Sequence, residues 1–208
     1  MPYVISSSLS DSRSVSKEFE PEIDRRSKGR MIFGDPFTDE EVAALPKTLL
    51  VGRPRVGGIP HILGWSIGPF VVSPRVHRII EELEPGRQCF LPLAVKSKDD
   101  RKIKGKTDHG TYYLIMHAPL LDAVVIEKTD FINGFGRAGF EASSRPLLSL
   151  AKGTSCVLDL SVAAGHHFWQ GTEPLRQFYF CSDELRDRLK AEKLDGWKFS
   201  PRCEFDDE

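Results

Sequence analysis

The chain of 208 residues has no C-x-x-C pair. Its four cysteines, Cys89, Cys156, Cys181 and Cys203, are scattered, which argues against a zinc site and against a disulfide-dense secreted scaffold. Three of them lie in apolar or alternating runs and are expected as buried, reduced thiols. An excess of either charge is also lacking. The 29 basic and 30 acidic side chains leave a formal net charge of -1, so no global field gathers nucleic acid or an anionic membrane, and a charged partner must be met by a local patch. Long apolar runs are missing too. A membrane-spanning helix needs about 20 mostly apolar residues in succession, and the longest runs here are strand-length. The opening MPYVISSSLSDSRSVSK has no basic region followed by an apolar stretch, so a cytoplasmic protein without a secretory signal is expected.

What is present is an ordinary globular composition, 40% hydrophobic and 28% charged, enough for one large domain with a peripheral segment. Residues 1–64 are expected to form that peripheral segment and 65–208 the domain. The first thirty residues, rich in serine and charge, read as a loosely attached arm in which only Tyr3 to Ile5 could add a strand. At Thr38, TDEEVAALP offers an N-cap hydroxyl, acids in the first turn and Pro46 as a stop, which predicts one short helix. The glycines and prolines between Leu49 and Pro69 predict turns or short edge strands.

The clearest pattern starts at Phe70. FVV reads as a strand, Ser73 as N-cap and Pro74 as first helical residue, and Val76, Ile79, Ile80 and Leu83 form one apolar helical face. CFLPLAV, TYYLIMHA and AVVIEKT then read as strands, with a turn around Pro119. At the other end, FYFC, a helix capped by Ser182, a turn at Asp195-Gly196 and a closing strand repeat the theme. Counted from the capping serines, apolar residues fall three and seven places on (Val76, Ile80; Leu185, Leu189), phenylalanine seventeen on (Phe90; Phe199) and proline nineteen on (Pro92; Pro201). These offsets suggest one strand-helix-strand unit used twice, each helix covering a sheet. The prolines in the returning strands point to edges or bulges. With SCVLDLSV and HHFW also strand-like, the fold class expected is α+β, with a mixed, mostly antiparallel sheet.

Several constellations invite chemistry. Gly134 to Gly139 spells G-x-G-x-x-G, with Asp159 at about the spacing of a dinucleotide fingerprint. The first glycine does not follow directly on a strand, and Ser143, Ser144 and Pro146 leave no room for the helix that would face a pyrophosphate, so a glycine loop is expected. His166 and His167, beside Trp169, could serve as metal ligands or bases. On a strand, adjacent residues point to opposite faces and could not chelate one ion together, and no third ligand sits at helical spacing. Lys96 to Lys106 carries many cations but is interrupted by Asp99 and Asp100 and has no interleaved aromatics, so it reads as a solvated hairpin loop. No cofactor and no metal are expected.

The segments FVVSPRVHRIIEELEPGRQCFLPLAV, TYYLIMHAPLLDAVV and HHFWQGTEPLRQFYFCSDELRDRLKAEKLDGWKF, taken in order, resemble the bacterial immunity-protein domain family of polymorphic toxin systems, over roughly residues 65 to 205. The shared features are structural and carry over no catalytic residue. The resemblance implies a non-enzymatic cytoplasmic protein that binds a cognate toxin and neutralises it by steric occlusion. His166, His167, Trp169 and Arg176 are the candidate partner-binding residues, on or near the loops at 50–68, 96–110, 130–146 and 164–174. Two alternatives stay open: a hydrolase-type antidote using His166 or His167 as base, and a nucleic-acid-binding adaptor working through Lys96 to Lys106.

Overall fold

The structure is a computed structural model that describes residues 1–7, 17–52, 59–64, 70–97, 108–129, 131–133, 148–150, 156–172, 175–176 and 178–206. From the start, β1 (Tyr3–Ser7) and β2 (Lys17–Glu20) precede α1 (Arg25–Phe33) and α2 (Asp39–Ala44). Then β3 (Thr48–Val51), β4 (Ile62–Leu63) and β5 (Val71–Val72) lead into α3 (Pro74–Leu83). The long pair β6 (Cys89–Ser97) and β7 (Asp108–His117) is followed by β8 (Leu120–Leu121), a 3-10 turn (Ile126–Lys128), β9 (Phe131–Asn133) and β10 (Leu148–Leu150). The remainder holds β11 (Cys156–Asp159), α4 (Leu160–Ala163), β12 (Phe168–Gly171), β13 (Tyr179–Cys181), α5 (Asp183–Ala191) and β14 (Trp197–Asp206).

Two six-stranded sheets carry the fold, in the orders β2-β3-β6-β7-β5-β4 and β11-β14-β1-β13-β12-β8, and β9 pairs with β10 apart from them. Both sheets are mixed and mostly antiparallel, with parallel pairs at β3/β6, β11/β14 and β8/β12. The α+β class expected from the sequence is the one observed.

The strand-helix-strand unit is used twice, and the repetition runs deeper than the sequence offsets show. The series β4-β5-β7-β6-β3 and β12-β13-β1-β14-β11 share order and relative direction. Register extends the match to residues: Val72 pairs with Tyr113 as Cys181 does with Tyr3, Phe90 with Ile115 as Phe199 does with Ile5, and Ala94 with Thr48 as Cys203 does with Cys156. Rings repeat as well. Tyr113 meets Phe90 edge-on at 6.4 Å, and Tyr3 meets Phe199 edge-on at 6.3 Å. Four places past each serine, the His77 ring stacks on Tyr113 at 3.9 Å and the Arg186 guanidinium lies 4.3 Å over Tyr3. Connectivity is what differs. β7 follows β6 directly, whereas its counterpart β1 comes from the first residues, so the second unit is a circular permutation of the first.

One apolar cluster joins the units: Val72, Ile79, Ile80 and Ile115 of the first pack with Ile5, Phe168, Leu185 and Leu189 of the second. Side chains of this size contribute roughly 1.5–3 kcal/mol each when buried. The ion pairs that cross between α3 and α5, Arg75 with Glu192 at 2.9 Å and Arg188 with Glu82 at 2.8 Å, are exposed and contribute about 0–1 kcal/mol. Burial therefore holds the helices, and the charges set their alignment. On the outer faces, Met31, Leu49, Leu93 and Leu114 form a second cluster and Val4, Leu158, Trp169 and Phe180 a third.

Two carboxylates cross the joint in opposite directions. Glu84, 1% exposed at the end of α3, accepts the Phe168 N–H at 2.7 Å and a Gln88 side-chain N–H at 2.9 Å. Asp195, in the turn after α5, accepts the His61 N–H at 3.0 Å. His61 and His167 hold equivalent places before β4 and β12, so the turn after each helix grips the hairpin of the other unit. Gly196 completes one grip: its φ is +96°, and a Cβ there would lie 2.6 Å from the Ile62 carbonyl oxygen, which only glycine avoids.

The structure departs from the sequence reading in identifiable places. The strand foreseen at Tyr3 to Ile5 exists, but on no loose arm, since β1 lies between β13 and β14. α1 was not foreseen: only Met31 of it is buried, so it lacks an apolar period, and its signals are the Asp24 N-cap and the left-handed Gly34 at its end. AVVIEKT is not a strand. It makes one isolated bridge, Val124 with Leu158, and then a 3-10 turn. Pro92 lies outside the β3 pairing, which begins opposite Ala94, and the bulge in β1/β14 spans Pro201, so both sit as expected. The glycine motif at 134–139 and residues 98–107 of the basic loop lie outside the described residues.

Two outcomes are expected. Glu84→Ala leaves the Phe168 N–H without its acceptor in the core and the Gln88 amide with only the Phe168 carbonyl, and costs about 3 kcal/mol, read as a lowered urea midpoint. Burial holds the His77 imidazole below its usual 6.5. As pH falls through 6.5, the unfolded chain therefore takes up a proton at this site before the folded one, so full stability is present above 6.5 and is lost progressively below it. His77→Phe keeps the ring contacts and flattens that part of the stability-pH curve.

Candidate functional site

A groove lies where α4 and the start of α5 approach each other. Asp159 ends β11 and caps α4, its carboxylate accepting the Ser161 N–H at 2.7 Å. After that four-residue helix the chain turns through Gly165 and presents His166 and His167 just ahead of β12. Ser182 caps α5 by accepting the Leu185 N–H at 3.1 Å, which sets Asp183 and Glu184 in the first turn. Between these elements opens a groove of about 280 Å³, lined by Met1, Leu160, Ala163, both histidines, Trp169, Asp183, Glu184 and Phe205. Met1 and Leu160, 38% and 46% exposed, are two of the three large hydrophobic side chains that stand exposed among the described residues. The Met1 ammonium pairs with Asp183, and its pKa is lowered by burial and then by the charges of Arg202 and Arg186.

Three of the four sequence candidates meet here. The histidines precede β12, so the opposite-face argument for a strand does not govern them. Arg87 donates to His166 Nδ1 at 3.0 Å and to the Gly165 carbonyl at 3.3 Å. A guanidinium can only donate, so Nδ1 of His166 is the acceptor. The same Nδ1 lies 3.3 Å from Glu84 Oε1; two acceptors do not bond, and Arg87, 3.5 Å from that oxygen, is the donor between them. His167 Nδ1 is 2.9 Å from the Ser182 hydroxyl and 3.9 Å from the Glu184 carboxylate. Trp169 is 1% exposed and stacks on Phe180 at 5.7 Å, which makes it a buttress behind the groove. Its indole N–H meets no acceptor among the described residues.

Arg176 does other work. It donates to the Phe33 carbonyl at 3.1 Å and to Asp35 at 2.8 Å, while buried Gln170 donates to the Ile32 carbonyl at 2.6 Å and also to the Arg176 carbonyl. Together they pin the end of α1 to β12. Gly34 lies under them with φ +66°, and a Cβ there would stand 2.8 Å from Gln170 Oε1.

The His167–Ser182 contact has the form of a base beside a nucleophile, but the same contact occurs in the other unit, where His61 Nδ1 lies 2.9 Å from the Ser73 hydroxyl. A pair built twice, each time between a helix N-cap serine and the histidine that precedes a hairpin, is a brace of the fold. Among the described residues no three His, Cys, Asp or Glu side chains converge to hold a metal. Cys156, Cys181 and Cys203 are buried free thiols, as expected, and Cys89 is exposed. Burial pushes the Cys181 thiol up, and a hydrogen bond with Cys156, then burial, does the same to Cys203, so neither offers a thiolate nucleophile.

Sequence reasoning missed Glu84, Asp183, Glu184 and Leu160. A glutamate at a helix end and acids in a first turn are what solvent-exposed helices ordinarily carry, so nothing in the string marks them. The histidine standing before each hairpin, in HIL and HFW, was the signal that could have revealed the repeated brace.

Fold and groove together describe an α+β protein of two fused, permuted halves with an open groove between α4 and α5. The model of the immunity protein family Imm11 matches residues 6–202, and the chain belongs to that family. No curated protein matches it. No helix among the described residues is long and apolar enough to cross a membrane.

Ser182→Ala removes both the His167 contact and the α5 cap and will lower stability by about 1–2 kcal/mol. Ser73→Ala, which loses the His61 contact and no cap bond, will cost about 1 kcal/mol or less, both read by chemical denaturation. Trp169→Ala will cost about 3–5 kcal/mol through lost packing, so any loss of binding in that variant will track its unfolding.

Proposed function

We propose that the protein protects its bacterial host by binding a cognate polymorphic toxin in the cytoplasm and covering the toxin's active site or a surface the toxin needs, with no bond made or broken in the immunity protein itself. The observation that carries this reading is the Imm11 family match along nearly the whole described fold. The structure supports it physically. A shared core and reciprocal clasps give a stiff scaffold, and a preorganised surface loses little on docking. His166 and His167 contribute at the rim, Trp169 supports them from behind, and Arg176 acts through the end of α1.

The test is co-expression with the toxic domain encoded by the adjoining gene. Growth is expected to be restored, and the two purified proteins are expected to form a stoichiometric complex in which the toxin is intact and inactive. Protection by far less than one equivalent, with the toxin or its target chemically altered, would mean turnover and would overturn the occlusion reading.

A further inference from the structure

We propose that the groove between α4 and α5 is the surface that receives the toxin, and that it takes a segment presenting an apolar side chain next to a lysine or arginine. The proposal rests on the immunity reading above and adds the place and the chemistry of contact.

The groove is apolar within and acidic on one rim. Ala163, Trp169 and Phe205 line it, and Leu160 stands 46% exposed at its edge. Asp183 and Glu184 form the rim on the α5 side. The Glu184 side chain is 61% exposed, and the contact recorded for it is His167 at 3.9 Å. Asp183 already pairs with two cations, the Met1 ammonium and Arg186, so this wall accepts positive charge in the folded chain itself. The nearby arginines are engaged: Arg186 with Asp183 and Asp187, and Arg87 with His166 and the Gly165 carbonyl. An apolar centre beside an acidic rim, on which the Glu184 carboxylate is the exposed charge, suits a partner that presents an apolar side chain next to a cation. A second copy of this chain would bring acid against acid across a twofold contact, so it fits less well.

The probe is the purified toxic domain encoded beside this gene, carrying an inactivating active-site substitution, titrated calorimetrically into the full chain. Leu160→Asp and Glu184→Lys are each expected to weaken binding by roughly tenfold or more. Both side chains are exposed, so the melting temperatures should match the wild type. Glu184→Gln should give a smaller loss, and Glu40→Lys, on α2, none. Binding by the wild type should weaken with added salt more steeply than binding by Glu184→Lys. Wild-type affinity in both groove variants overturns the proposal and leaves the immunity reading standing, because the toxin is then held elsewhere. No binding by the wild-type chain brings down the immunity reading and this proposal with it. A wild-type dimer that Leu160→Asp dissociates without change in toxin affinity assigns the groove to self-association and also overturns it.

Discussion

Glu84 is a carboxylate held out of water at the seam between two halves, and the arrangement of the molecule turns on it. A buried charge is costly unless hydrogen bonds replace its hydration. Here the replacements come from both sides of the seam: the Gln88 amide from the same unit and the Phe168 N–H from the other. Separating the halves would break both bonds to Phe168, its N–H to Glu84 and its carbonyl from Gln88. Asp195 does the converse with His61, so the two clasps fix how the hairpins sit on the helices. The groove inherits this placement. His166 and His167 immediately precede Phe168, and Arg87 lies between His166 and Glu84 as donor.

The two halves are nearly equivalent, but among the described residues their outer faces are covered differently. The outer face of the first sheet is closed by Ile23, Met31 and Leu45, supplied by α1, α2 and their flanks. The second is covered by Val162 and Ala163 of α4 together with Leu121, Ala123 and Val124. The groove opens between this short helix and the start of α5. Duplicated architecture gives stiffness, and asymmetric coverage gives an address. An immunity protein needs both, since affinity depends on a preformed surface and specificity on what that surface carries.

Much of the fold was legible because local physics repeats at fixed spacing. Ser73 and Ser182 announce α3 and α5, the apolar residues three and seven places on mark the buried faces, and Thr38 with Glu41 forms the capping box of α2. α1 was invisible because tertiary contacts, not periodicity, hold it: Met31 in the core, and Gln170 and Arg176 gripping its end. AVVIEKT misled because a β-branched run looks the same whether or not a partner strand accepts it. The histidine pair was found, but its meaning was not. As letters it suggested a base or a ligand, and in space His167 is one of two matched helix-cap braces.

By itself the sequence determined the class of fold, the twofold use of one capped unit and the kinship with immunity proteins, because these rest on capping, periodicity and the order of motifs, all written within short stretches of chain. Only the tertiary structure decided that β1 completes the second half, that Glu84 and Asp195 clasp across the seam, and that His166, Asp183 and Leu160 share one groove. Those facts join residues far apart in the chain, and which distant groups meet is set by how two sheets pack over a common core, which no local pattern encodes.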